Sequence, residues 1–237
     1  MIGVVGAEGP AERLAAALGE AGLDASRVDA EAAESGGADV LVAIGEPALI
    51  DLVGIDPGAP VLPVGIDDGL PAAAMDEVPA AVEAFLDGTV ATRTNALLAV
   101  EVEGQPVGQA LFDVTLVRSD PGRISEYSLE CGGARSRFRA DGVVAATPAG
   151  SHGYAHAAGG PRLGLDTDAV AVVPIAPFGL GTASWVVAPD DEPLLRIERD
   201  EGDVSLLLDG RERRRLAGPA TVSLAPDGTF ETVVPPR

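Results

Sequence analysis

Short apolar runs alternate with helical patterns over about the first 90 residues of the chain. Residues 2–5, 39–44 and 61–66 are apolar and are typical of buried parallel strands. Residues 10–21 and 79–86 carry apolar side chains at helical spacing. Because strands that alternate with helices form parallel sheets through right-handed crossovers, this part predicts an α/β domain with flanking helices.

The pattern changes after about Thr92, where short apolar runs are separated by turn residues. Residues 97–103 and 107–118 flank Gly104-Gln105-Pro106, which predicts a hairpin. Further runs of this kind are residues 124–130, 136–140, 169–173, 184–187, 194–198, 204–208 and 221–224. Such a series predicts an all-β, mainly antiparallel domain. The expected domains are residues 1–92 and 93–237, and the last residues could pack back on the first domain.

The charge of the chain is strongly negative. It has 37 acidic and 16 basic residues, a formal net charge of −21, and no lysine. Two interpretations are open: a surface that mimics an acidic ligand of a basic partner, or a salt-adapted surface. The acids are scattered over the whole chain, which favours salt adaptation. A surface of this sign repels nucleic acid and anionic lipid, so neither is an expected partner.

The cysteine content and the first residues of the chain predict the cellular compartment. Residues 1–5 are too short and too uncharged for a signal peptide, and no apolar run approaches the length of a membrane span. The single Cys131 excludes an internal disulfide, which fits a reducing cytoplasm. Cys131-Gly132-Gly133 predicts a hairpin turn with a free, inert thiol. We therefore expect a cytoplasmic protein.

A first candidate site is Ile44-Gly45-Glu46-Pro47-Ala48, directly after a strong strand pattern. Ligands of open α/β sheets gather at the carboxyl ends of the strands, where Glu46 would lie. The alternative is structural: an acid favoured by the helix dipole, with Pro47 at the first helical position. The residues alone leave both interpretations open.

A second candidate runs from Ala140-Asp141-Gly142 through Thr147 and on to Gly150-Ser151-His152-Gly153-Tyr154. Here a strand enters a turn of small residues that also holds polar side chains. Glycines let a ligand approach the backbone closely, so this density of glycine and polar groups favours a binding loop over a plain connection.

Two smaller features complete the candidate chemistry. Asp113 follows Phe112 inside a half-buried strand pattern, so it must face water, a partner or a ligand. His152 and His156 are four residues apart, but no third cysteine or histidine supports a metal site, and none is expected. A Walker-type loop is excluded because it needs lysine.

The second candidate resembles the signature loop of the NAD kinase family. Asp141-Gly142, then 147–154 (Thr-Pro-Ala-Gly-Ser-His-Gly-Tyr), then Gly159-Gly160-Pro161 match its order and spacing. Flanking matches are Ala110-Leu111-Phe112-Asp113-Val114, Pro174-Ile175-Ala176-Pro177 and Leu208-Asp209-Gly210. The match spans roughly residues 90–215. The chain is similar to a divergent member of this family from a salt-adapted, haloarchaeal-like organism.

The resemblance implies an NAD kinase-like fold and phosphorylation of the adenosine 2′-hydroxyl of NAD, giving NADP. ATP or polyphosphate with Mg²⁺ would be the donor, and the protein would be a homodimer or homotetramer. Glu46 would replace the catalytic aspartate of the family. The residues implied in nucleotide binding are Gly45, Asp113, Asp141, Gly150, Ser151, His152, Gly153, Tyr154 and Ala176.

Several positions depart from the family pattern. Glu46 has one methylene more than aspartate, and Pro47 stands where the family has glycine. Ala48 removes a threonine hydroxyl, Phe112 replaces an asparagine and His152 replaces a threonine. Three hypotheses therefore stay open: an NAD kinase, a non-catalytic nucleotide-binding paralogue that serves as a sensor or regulatory subunit, and a kinase for another substrate.

Overall fold

The computed structural model describes residues 1–34, 36–55, 57–66, 69–119, 125–179, 183–199 and 202–236. Contacts divide the chain into two compact units. The first holds residues 1–95 and 229–237, and the second holds residues 96–228. The chain passes between the units within two of its strands, and each unit is built around its own core.

The first unit is a parallel sheet with flanking helices. Its elements are β1 Ile2–Val5, α1 Glu8–Glu20, β2 Ala25–Arg27, α2 Ala30–Glu34, β3 Val40–Ile44, α3 Gly45–Val53, β4 Val61–Val64 and α4 Val78–Leu86. The strands lie in the order β2-β1-β3-β4, and each adjacent pair is parallel. Near the C-terminus Thr232 pairs in parallel with Val61, which adds a fifth strand beside β4. Buried side chains of β1, β3, β4, α1 and α4 form one core.

The strands predicted in this unit are confirmed, and the helices differ mainly at their starts. Helix α1 begins at Glu8, two residues before the predicted start. Helix α3 begins at Gly45, so Pro47 is its third residue and not its first. Gly45 adopts φ +77°, which lets the chain turn sharply from β3 into the helix. The short elements β2 and α2 carry too few apolar residues for the periodicity to predict them.

The second unit consists mainly of antiparallel strands. They are β5 Thr92–Val102, β6 Gln105–Ala110, β7 Asp113–Arg118, β8 Ser125–Cys131, β9 Ala134–Ala140, β10 Gly142–Ala146, β11 Val170–Ile175, β12 Trp185–Val187, β13 Leu194–Arg199, β14 Val204–Leu208, β15 Arg211–Leu216 and β16 Ala220–Val233. The ends of β5 and β16 belong to the first unit. One short helix, α5 Tyr154–Ala157, follows a 3₁₀ turn at Gly150–His152.

Two antiparallel sheets enclose the core of this unit. One has the order β12-β11-β10-β7-β14-β15, and the other contains β16, β13, β8 and β9 together with the β5–β6 hairpin. Alternate residues of β10 serve different cores: Val143 and Ala145 face the core between the sheets, and Val144 and Ala146 face Ala155 and Leu163. Because β10 is buried on both faces, the chain that follows it is anchored over the sheet.

The prediction that residues 107–118 form a single strand is wrong. The chain breaks at Leu111 and Phe112 into β6 and β7, which lie in different sheets. The reason is that the backbone N–H groups of this break bond a side chain instead of a neighbouring strand. The run 221–224 was also too short, since β16 extends to Val233. The first residue of the run 124–130 lies outside the described residues.

Candidate functional site

In the first unit, Gly45 and Glu46 lie where sequence reasoning expected them. Strand β3 ends at Ile44, and Glu46 is an exposed side chain in the first turn of α3. Pro47 lacks an N–H, but the first N–H groups of any helix have no partner inside it, so the helix loses nothing. The carboxylate is therefore presented to solvent at the carboxyl end of the parallel sheet.

A cavity of about 360 Å³ lies at the same edge of the first unit. Its lining consists of residues 5–7, 28–30, 44, 47, 48 and 51. One cavity is thus lined by the carboxyl ends of β1 and β3 together with the start of α3. Asp29 and Asp51 make its polar lining acidic, and Asp29 is paired with Arg27 at 2.7 Å.

In the second unit the break between β6 and β7 forms a tight corner, residues 111–113. The buried carboxylate of Asp209 accepts all three backbone N–H groups of this 111–113 corner. Its Oδ2 accepts from Leu111 N at 2.9 Å, and its Oδ1 accepts from Phe112 N at 2.7 Å and Asp113 N at 2.9 Å. The N–H of Asp209 in turn donates to Asp113 O at 2.9 Å. The corner is therefore fixed by a side chain from a distant hairpin.

Thr147 holds the same corner from the other side. Its hydroxyl donates to Leu111 O at 2.6 Å, and its N–H donates to Phe112 O at 2.9 Å. Gly150 N donates back to Thr147 Oγ1 at 3.2 Å. Gly150 lies so close to the corner that a Cβ there would stand 1.9 Å from Phe112 O. The corner and the 147–154 loop therefore form one packed unit.

Within the 147–154 loop some polar groups bind the protein and others face solvent. The Ser151 hydroxyl donates to Pro148 O and accepts from Leu163 N, both at 2.8 Å, so it is used inside the loop. His152 Nε2 lies 3.1 Å from Leu163 O and donates to it. Gly153 is exposed, and Tyr154 has 45% of its surface accessible. The groups offered to a ligand are the backbone around Gly153 and the Tyr154 ring.

The carboxylate-bearing residue Asp113 lies beside this loop within the same chain. It pairs with Ala146 at the end of β10 that leads into the loop. Its carboxylate is half-buried and accepts from Thr115 Oγ1 at 2.9 Å. The backbone N–H of Asp113 is held by Asp209, and its carboxylate is held by the Thr115 hydroxyl.

Asp141 and Ala176 lie at the opposite end of β10. Gly142, the first residue of β10, pairs with Ile175, and Asp141 N donates to Ile175 O at 3.0 Å. Both Asp141 and Ala176 are exposed. Strand β10 spans Gly142–Ala146, so this end is roughly 14 Å from Asp113 at about 3.4 Å per residue. One chain therefore brings Asp113 and the 147–154 loop together, but not Asp141 and Ala176.

The two histidines bond backbone carbonyls: His156 Nδ1 lies 3.2 Å from Gly160 O. Among the described residues no group of three or more histidine, cysteine or acidic side chains could hold a metal ion. In the same described ranges, no helix is long and apolar enough to cross a membrane. Burial, together with nearby Asp191, raises the pKa of the Cys131 thiol, which fits an inert group.

Sequence reasoning missed the roles of Thr147 and Asp209. Asp209-Gly210 connects β14 to β15 with φ values of +49° and +73°, the geometry of a two-residue hairpin turn. An Asp-Gly pair between two strands is typical of that turn. It does not predict that the carboxylate reaches the 111–113 corner, because these partners lie 96–98 residues away in the chain.

Comparison with known proteins relates the second unit to NAD kinases. Residues 111–225 match the family described as the ATP-NAD kinase C-terminal domain. An NAD kinase of Methanosarcina barkeri is 33% identical over 118 residues, 49% of this chain and 43% of that protein. An NAD kinase of Thermobifida fusca is 38% identical over 117 residues, 49% of this chain and 36% of that protein. The matching segment thus spans less than half of these relatives.

Two solved structures share the fold. An NAD kinase from Archaeoglobus fulgidus in complex with ATP aligns with a TM-score of 0.76 at 20% identity, over 98% of this chain and 91% of that one. Yeast NADH kinase complexed with NADH aligns with a TM-score of 0.78 at 18% identity, over 90% of this chain and 66% of that one. The 111–113 corner and the 147–154 loop lie inside the segment that matches the ATP-NAD kinase C-terminal domain, and the chain as a whole has an NAD kinase-like fold.

Proposed function

We propose that the chain is an NAD kinase-like phosphotransferase that uses ATP to phosphorylate the adenosine 2′-hydroxyl of NAD, giving NADP. The observation that carries the proposal is the 111–113 corner, which Asp209 and Thr147 hold through hydrogen bonds. It holds Asp113 beside the glycine-rich 147–154 loop within the segment that matches the ATP-NAD kinase C-terminal domain. Related proteins of this fold include one solved with ATP and one solved with NADH.

Phosphoryl transfer depends mostly on positioning and on stabilising charge, and the residues have roles of that kind. Asp113 accepts hydrogen bonds from ribose hydroxyls. Gly153 lets the nucleotide approach the backbone, and Tyr154 covers it with an exposed ring, while Gly150 packs the loop against the corner. Glu46 accepts the proton of the attacking hydroxyl. Mg²⁺ bound to ATP would offset part of the negative charge of the phosphates.

The altered loop around Glu46 is compatible with this role. Its carboxylate is exposed at a strand end, where ligands of α/β sheets bind. Pro47 removes an N–H that could contact phosphate, but Gly45 and Glu46 keep theirs. The longer side chain of glutamate moves the carboxylate outward, and a misplacement of about 1 Å can cost about 10²-fold in rate. We expect a slow kinase.

The test is NADP formation by purified protein with ATP, Mg²⁺ and NAD in molar KCl. Glu46→Ala is expected to lower kcat by about 10²–10⁴-fold, the usual contribution of a general base. Glu46→Asp restores the aspartate of the family, and because it removes this misplacement it is expected to raise kcat by up to about 10²-fold. Absence of NADP with ATP and with polyphosphate as donors would refute the proposal and leave nucleotide binding without turnover.

The assembly and setting belong to the same proposal. Asp141 and Ala176 lie too far from Asp113 along β10 to share a compact pocket in one chain, so we assign them to a nucleotide held by a second copy. The working form is then a homodimer or homotetramer in the cytoplasm of a salt-adapted cell. Light scattering after gel filtration in molar KCl tests this, and a monomer would contradict it.

A further inference from the structure

We infer that Asp209 is a positioning residue of the nucleotide site, acting through the 111–113 corner without touching the substrate; the inference rests on the proposed function. Asp209 is only 5% exposed, and its carboxylate accepts three backbone N–H groups in a row. A buried carboxylate needs such donors, and charge-assisted bonds of this kind are stronger and more directional than neutral ones. The three bonds fix the backbone from Leu111 to Asp113.

At the corner the chain leaves one sheet of the second unit and enters the other. Strand β6 ends at Ala110 in one sheet, and β7 begins at Asp113 in the other. Neither sheet can satisfy the N–H groups of the residues between them. The Asp209 carboxylate does so, and without it the N–H side of the corner would lose its three acceptor contacts.

The position of Asp209 in its own turn explains why the carboxylate is available. Asp209 has φ +49° in a two-residue hairpin between β14 and β15, a conformation that aspartate tolerates better than most side chains. Strand β14 pairs with β7, and Leu208 lies opposite Val114. The hairpin thus places the acid one residue beyond the strand pair, directly under the corner.

The corner also carries the 147–154 loop. Thr147 donates to Leu111 O, and Gly150 contacts the Phe112 backbone. Asp209 holds the N–H side of the corner and Thr147 holds the C=O side. Movement at either support shifts Asp113 and the loop together, and so the binding of the acceptor nucleotide should weaken more than the binding of the phosphoryl donor.

The test compares Asp209→Asn with Asp203→Asn, an exposed acid just before β14. Asparagine keeps the shape, but its NH₂ group would face a backbone N–H donor. We expect the KM for NAD to rise about tenfold in Asp209→Asn, the change expected from losing one such bond, with the KM for ATP within about twofold. Asp203→Asn should leave both unchanged.

A purely structural role predicts a lower melting temperature with an unchanged KM for NAD, and that result would overturn the inference. If Asp209→Asn does not fold, Thr147→Val and Thr147→Ser test the same corner. The valine variant should raise the KM for NAD, and the serine variant should restore it. If the parent makes no NADP, the proposed function fails, and the NAD dissociation constant is compared instead. An NAD dissociation constant of Asp209→Asn that lies within twofold of the parent value refutes the inference. Absence of NAD binding by the parent also refutes it.

Discussion

Gly150→Ala is the substitution for which the structure gives the clearest magnitude. The new Cβ would stand 1.9 Å from Phe112 O, 2.3 Å from Phe112 C and 2.7 Å from Phe112 Cα. Ordinary contact begins near 3.4 Å, so the two backbones would have to separate by roughly 1.5 Å. All three contacts are with backbone, and no side-chain rotation can relieve them.

The backbone that would have to move is held firmly. Phe112 N donates to Asp209, and Phe112 O accepts from Thr147 N. Overpacking a core commonly costs about 1–3 kcal/mol, and a clash with fixed backbone belongs at the upper end, about 3 kcal/mol. At about 2–4 °C per kcal/mol for a chain of this size, the melting temperature should fall by about 6–12 °C.

The assay is thermal unfolding followed by circular dichroism in molar KCl. Gly164→Ala is the matched control in the same unit, since its nearest contact is Thr167 Oγ1 at 3.4 Å. This control should change stability by no more than about 0.5 kcal/mol. If Gly150→Ala and Gly164→Ala melt at the same temperature, the close packing of the loop against the corner is not real.

Three further substitutions have outcomes of different sign. Gly19→Ala, in helix α1 with nothing within 4 Å of the new Cβ, should stabilise the protein by about 0.5–1 kcal/mol in denaturant unfolding. Ser151→Ala leaves Leu163 N without its hydroxyl acceptor, and it should destabilise by about 1–3 kcal/mol; no change would show that the hydroxyl is dispensable. Burial raises the pKa of Tyr127 to about 12, against the opposing effects of Ser125 and Arg118. Because an unfolded tyrosine ionises near pH 10, the proton that the folded state retains should cost about 2–3 kcal/mol of stability as pH rises from about 10 to 12. Tyr127→Phe should remove this alkaline loss, and an unchanged slope in the variant would contradict the assignment.

The spacing of apolar residues was enough to predict the α/β class of the first unit and the antiparallel β class of the second. The runs at β1, β3 and β4 are almost entirely apolar because both faces of a parallel sheet are covered, and such runs stand out in a sequence. The turns around Gly104 and Gly132 mark hairpins for a local reason, since both glycines have positive φ. Signals of this kind depend only on neighbouring residues.

What the sequence did not predict depends on contacts between distant residues. The break at Leu111 interrupts an apolar run whose alternation gives no warning, because its cause is a carboxylate 98 residues away. Ser151 looked like a ligand-binding hydroxyl, but Leu163 N takes its oxygen. Asp141 and Asp113 belong to the same motif region, but the length of β10 separates them. Local patterns cannot specify such pairings.

The most direct test of the account is amide hydrogen exchange, measured by mass spectrometry, with and without saturating NAD in molar KCl. If the corner and its loop hold the nucleotide, NAD should slow exchange most strongly in peptides that cover residues 111–113 and 147–154. Peptides from β15 at the far edge of the sheet should be unaffected. Protection that is absent from the corner and the loop, or that is confined to other segments, would contradict the assignment of this site.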